Sequence, residues 1–153
     1  MPRPQKPGEG NDLSPSVKKL ADEIGLKMTR SPFIASSRPA LEAAEWAREK
    51  GKFDQFHLAV FKTYWEEGKN IGLRSVLREI AEGCGLDWEE LERSLDEKRY
   101  AGRIDGQNTE AGTIGITGIP AYIIGDHLVV GAQPYQNFRR AVELAQKRHQ
   151  PQT

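Results

Sequence analysis

Apolar residues recur along most of this chain at the three-and-four spacing of amphipathic helices, and change to the alternation of strands only near its end. Ser14 before Pro15 reads as an N-cap with proline in the first turn, opening a helix that runs to about Ile24 and stops at Gly25. Residues 26–34 read as a loop crossing, with a short extended piece at 26–28. Ser37 reads as the cap of a helix over 38–49, where Ala40, Leu41, Ala43, Ala44 and Ala47 form a narrow small-residue face. Over residues 53–66, Phe53, Phe56, His57, Val60, Phe61 and Tyr64 fall on one stripe. Over 73–83, Leu73, Val76, Leu77, Ile80, Ala81 and Cys84 do the same. Asp87 caps the next helix, with Glu90 three residues on as a capping-box partner and Trp88, Leu91 and Leu95 facing inward.

A fifth helical stretch over 97–112 is weaker in pattern. Tyr100, Ile104 and Ala111 share a face, but each of Gly102, Gly106 and Gly112 weakens a helix by ~1 kcal/mol relative to alanine. The period then changes. Residues 121–124 and 127–130 are short β-prone runs joined by Gly125-Asp126, a two-residue turn signal of the primed kind. Pro134 opens a last amphipathic helix over 134–148, with Phe138, Ala141, Val142 and Ala145 inward. Residues 1–12, rich in proline and glycine, read as extended or disordered, and 149–153 as a frayed tail. The count is awkward: six or seven helices and one hairpin. An isolated hairpin is barely stable and needs further strands or a helix against it.

Composition narrows the classes. A chain of 153 residues is long enough for a real core, and 22 basic against 22 acidic residues leave no broad field for nucleic acid or an anionic membrane. The hydrophobic share of 37% and charged share of 29% suit a helix-rich protein with well-solvated outer faces. No apolar run approaches the ~20 residues that span a bilayer, and the N-terminal segment has no apolar signal core, so a cytoplasmic location is expected. A single cysteine, Cys84, excludes an intramolecular disulfide and a cysteine-rich metal site. It falls on an apolar stripe at a helix C-terminus, where the dipole disfavours a thiolate, so it reads as a buried structural thiol. His57 reads as a core or cleft histidine, and the three histidines are not spaced as a metal set.

Thr117-Gly118-Ile119-Pro120-Ala121-Tyr122 is the most informative hexapeptide. Taken alone it is an ordinary strand entry, with proline where its missing N–H breaks no ladder and Ile119 pushed towards extended geometry. The wider block over 115–124, the Gly-Asp turn and Val129-Val130-Gly131-Ala132-Gln133-Pro134 together resemble the C-terminal part of DsbA-like thioredoxin-fold proteins, closest to the FrnE-like branch. Residues 37–47 (from Ser37-Arg38-Pro39-Ala40-Leu41) and 61–72 (from Phe61-Lys62-Thr63-Tyr64-Trp65) are similar to that family's inserted helical domain. The resemblance covers about residues 13–146.

The resemblance implies an α/β thioredoxin-like fold of DsbA type, N-terminally incomplete: an extended or disordered segment over 1–12, a helical insertion domain over 13–98, and the C-terminal part of the thioredoxin-like domain over 99–148. It implies a cis bond at Pro120, and a substrate-binding set of Gly118, Ile119 and Pro120 in which the Ile119 main chain holds an extended peptide or glutathione. The family's first strand and Cys-x-x-Cys are absent, so no catalytic residue, metal ligand or cofactor is assigned, and strand 120–124 should lack a neighbour. Ile116, Ile119, Tyr122 and Ile124 should then leave apolar surface, drawing the chain into a homodimer or onto a complementing N-terminal fragment. Three functions stay open: a truncated thiol–disulfide oxidoreductase or isomerase inactive alone, a non-catalytic peptide-binding or assembly module, and a relative of the glutathione-dependent chromene-carboxylate isomerases and kappa-class glutathione transferases.

Overall fold

The computed structural model describes residues 3–4, 13, 15–29, 31 and 33–148. Ser14, residues 5–12 and the tail after Arg148 lie outside them, and with them the expected cap of the first helix, most of the extended N-terminal segment and the frayed end. The order of elements is β1 (Arg3–Pro4), α1 (Pro15–Glu23), β2 (Phe33–Ile34), α2 (Arg38–Glu49), α3 (Phe53–Trp65), α4 (Arg74–Gly83), α5 (Trp88–Asp96), α6 (Ala101–Thr113), β3 (Ala121–Ile124), β4 (His127–Val130) and α7 (Tyr135–Arg148). Two compact units divide between Ile104 and Asp105.

In the first unit α2 to α5 enclose one hydrophobic core, with Phe56, Leu77 and Leu91 fully buried at its centre. Helix α2 packs closely because Ala40, Ala43, Ala44 and Ala47 are small, and Trp46 fills the remaining space. Leu41, expected on that face, is exposed; the buried side of α2 runs instead through Glu42, Glu45 and Trp46 beside the four alanines. Buried Glu42 and Glu45 are neutralised at once: Glu42 accepts from Arg38 Nε at 2.8 Å, and Glu45 meets Arg48 at 3.3 Å and Arg103 at 3.0 Å. A buried carboxylate without such a partner would carry a penalty of several kcal/mol. Asp87 caps α5 as read, its Oδ1 accepting the Glu90 N–H at 3.0 Å.

Three expectations fail here. The extended piece is at Phe33–Ile34, paired antiparallel with Arg3–Pro4, and not at 26–28, so the hairpin is not alone as a sheet. The α3 stripe is split: Phe56, Val60 and Thr63 are buried, whereas His57 and Phe61 stand on an exposed flank. Leu73 is the exposed N-cap of α4 and not a core position. The weak fifth pattern resolves into α6, with residues 97–100 forming the turn before it and Tyr100 and Ile104 buried.

In the second unit β3 and β4 form an antiparallel hairpin with Ala121 opposite Val130 and Ile124 opposite His127. Helix α7 starts one residue after Pro134 and packs on it, with Tyr122 edge-on to Phe138 at 4.9 Å between ring centroids. Ala141 is buried; Val142, expected inward, is exposed.

Candidate functional site

Helix α6 ends in a Schellman turn that fixes where the following segment starts. Gly115 (φ 83°) donates to Gly112 O at 3.1 Å and Ile116 to Ala111 O at 2.9 Å. The chain then runs through Gly118 and Ile119 to Pro120, and the Ile119–Pro120 peptide is cis. Pro120 O accepts the Gly131 N–H at 2.7 Å, which closes the hairpin one position beyond β3. Ile119 has no such tie. Its side chain is 92% exposed, and among the described residues its main-chain N–H and C=O meet no partner.

At the other end of the hairpin Gly125 (φ 58°) makes the turn. A Cβ there would lie 2.8 Å from Ala145 Cβ, so the turn seats directly on α7. Arg148 Nη1 closes over it with a 3.0 Å bond to Asp126 Oδ2.

Strand alternation divides the hairpin into two faces. Tyr122, Ile124, His127 and Val129 share the side that carries the Tyr122–Phe138 contact with α7. On the opposite side Ile123 is 59% exposed, and Leu128 and Val130 are exposed as well. Among the described residues β3 pairs with β4 and with nothing on its other edge. The sequence reading had Tyr122 and Ile124 as part of the uncovered apolar surface; the register turns Ile124 towards α7, and Ile123, Leu128 and Val130 are the residues it missed. Their signal is the strict period of two, carried across the pair by the register.

Cys84 is buried at the C-cap of α4, and burial pushes its thiol above the ordinary value, with Lys52 acting weakly the other way. It borders a cavity of about 430 Å³ with Ile80, Thr63, Lys69 and Glu79. A second, apolar cleft of about 560 Å³ lies between residues 26–28 and α3, where His57 stacks against both Phe53 and Phe61 at 4.9 and 4.8 Å. His57 is therefore a cleft residue. No group of three or more His, Cys, Asp or Glu among the described residues is placed to hold a metal.

The sequence matches the DSBA-like thioredoxin domain family over residues 1–143. The chain belongs to that family. The relatives of this DSBA-like chain include the uncharacterized protein YwbO of Bacillus subtilis, 28% identical over a 141-residue alignment that covers 87% of this chain and 68% of that one. A probable DsbA oxidoreductase from Streptomyces coelicolor superposes with a TM-score of 0.77 at 25% identity, over 90% of this chain and 61% of its own. The chain thus spans less than two thirds of that DSBA-like structure. No helix of the described residues is long and apolar enough to cross a membrane.

Proposed function

We propose that this chain is the substrate-holding part of a DsbA-like thiol–disulfide oxidoreductase, in which Gly118, Ile119 and Pro120 grip an extended polypeptide through main-chain hydrogen bonds. The observation that carries the reading is Ile119, with its side chain in solvent and, among the described residues, both main-chain groups unpartnered beside an edge of β3 that pairs with nothing. Strand addition supplies affinity from backbone groups and tolerates varied side chains, which suits an enzyme acting on many disulfides. The name of the Streptomyces coelicolor neighbour, a probable DsbA oxidoreductase, supports the same class.

The exchange step itself needs two thiols. An attacking thiolate forms a new S–S bond to one substrate sulfur and expels the other as a thiolate; a resolving thiolate then attacks the first enzyme sulfur, closing the enzyme disulfide and releasing the substrate sulfur as a thiolate. These 153 residues hold only Cys84, which is buried, so the dithiol comes from outside them and the chain is inactive alone. The exposed face of Ile123, Leu128 and Val130 and the open β3 edge are where the segment carrying that dithiol docks. Without it, a second copy pairs there and the chain dimerises. A cytoplasmic location is part of this reading and rests on the FrnE-like resemblance.

Fluorescence anisotropy with a labelled, extended cysteine-containing peptide tests the proposal. Ile119→Ala should leave binding within about twofold, because its side chain is not used, whereas Ile119→Pro, which deletes the N–H, should weaken it by about tenfold or more. Equal affinity of both variants and the parent would refute main-chain capture at this corner.

A further inference from the structure

The cavity of about 430 Å³ beside Cys84 is bordered by α3 and by the end of α4, both in the first unit. That volume falls within the roughly 300–1,000 Å³ usual for small-molecule sites. Two side chains nine-tenths or more buried line it: Thr63 of α3, 8% exposed, and Cys84 at the C-cap of α4, 4% exposed. Neither the hydroxyl nor the thiol has a hydrogen-bond partner among the described residues. A threonine inside a helix can donate back to the carbonyl one turn earlier. Thr109 and Thr113 of α6 do so, to Asp105 O at 2.9 Å and to Thr109 O at 3.0 Å. Thr63 makes no such bond, and its hydroxyl is left to the cavity.

A hydroxyl that has left water without finding a partner is unfavourable, and a ligand that bonds to it recovers the loss. The remainder of the wall limits what that ligand is. Ala59 and buried Ile80 supply apolar surface. The charged groups stay at the exposed rim and balance in sign, with Lys69 Nζ 3.0 Å from both Glu67 Oε2 and Glu79 Oε2. The Lys69 N–H also holds Thr63 O at 3.0 Å, which fixes the rim to the helix that carries the hydroxyl. The buried wall thus offers two neutral donors, one strong and one weak, set in apolar surface. A carboxylate would shed its water there with only neutral donors facing it, and an ammonium would lack acceptors for its three N–H groups. An alcohol would bring a third donor to a wall that already holds two. A carbonyl oxygen brings acceptor capacity alone.

We infer that this cavity binds a small neutral carbonyl compound, an amide or ketone on an apolar body, whose oxygen accepts from the Thr63 hydroxyl while the body lies against Ala59 and Ile80. The binding is non-covalent, and Cys84 serves as wall and second, weaker donor. The site uses none of the residues of the peptide-holding corner and does not rest on that reading.

Amide spectra of the whole chain titrated with hexanamide, and separately with hexanoate and hexylamine, are the test, since the three probes share an apolar body and differ in the head group. Hexanamide should shift the amides of residues 59–63 and 80–84 saturably at one site, and bind about tenfold or more tighter than either charged probe. Thr63→Val removes the hydroxyl at nearly constant shape and should weaken hexanamide about fivefold, the worth of one neutral hydrogen bond. Its urea midpoint should equal or exceed the parent's, because the hydroxyl it removes has no partner in the protein; a lower midpoint would overturn the inference. Gly83→Leu adds a side chain at a cavity-lining helix position where a Cβ meets nothing within 4 Å, so it should fold and should abolish saturation. Absence of saturable shifts at these residues, a charged probe bound as tightly as hexanamide, or affinity unchanged in Thr63→Val and Gly83→Leu would refute it.

Discussion

Replacing Gly125 by alanine tests whether the hairpin is locked onto α7 as described. Two penalties add. A side-chained residue held at φ 58° costs about 1–2 kcal/mol. The new methyl would sit 2.8 Å from Ala145 Cβ, where carbon atoms settle near 3.5–4.0 Å, so turn or helix must move by roughly 1 Å. Overpacking of this kind costs about 1–3 kcal/mol, giving about 2–5 kcal/mol in all. The second penalty belongs to one neighbour. In an Ala145→Gly background the contact disappears, leaving Ala145 Cα at an ordinary 3.6 Å, while the helix loses about 1 kcal/mol of its own. A double-mutant cycle should then show a coupling of about 1–3 kcal/mol. Amide exchange at Gly131, whose N–H bonds to Pro120 O across the hairpin, reads opening of this unit directly. An unchanged exchange rate in Gly125→Ala, or the same cost in both backgrounds, would refute the seating of the turn on α7.

Other expectations follow from the cores and the titrating groups. Insulin reduction by the purified chain should not exceed the uncatalysed rate, and Cys84→Ala should change nothing; turnover lost in that variant would show a reactive Cys84. Its thiol, buried and shifted upward, should react with a disulfide reagent at pH 8 more slowly than free cysteine, reaching the free rate only in denaturant. Leu91→Ala, at a fully buried position, should cost about 2–5 kcal/mol in urea unfolding, and a cost below 1 kcal/mol would place Leu91 outside the core. Burial first, and the Glu49 carboxylate second, push the Tyr100 phenol up to about 12 from 10.0. With the folded value raised, this contribution to stability is whole below pH 10 and is lost as pH rises from 10 to 12. Absorbance titration against Tyr100→Phe measures it, and a normal phenol value would contradict the burial.

Most of the helical unit was legible because its signals are local. Apolar spacing marked Val76, Leu77, Ile80 and Ala81 as one buried face, and Asp87 announced its own cap. Boundaries of the faces were less legible. Leu41 and Phe61 satisfy a helical stripe yet fall at its margin, because the width of a buried stripe depends on what packs against it. The pairing of Arg3–Pro4 with Phe33–Ile34 left no trace, since two-residue strands carry no period and their partners are distant in sequence. At the candidate site the motif singled out Gly118, Ile119 and Pro120, while the exposed face of Ile123, Leu128 and Val130 needed the register of the hairpin.

Isotope-resolved amide spectra of the chain, titrated with an extended cysteine-containing peptide, test the central claim most directly. The account predicts that the Ile119 amide shifts downfield and becomes protected from exchange, together with the amides of β3, while those of α2 to α5 stay still. A peptide that binds with Ile119 and β3 unperturbed, or that moves only the helical unit, would contradict it.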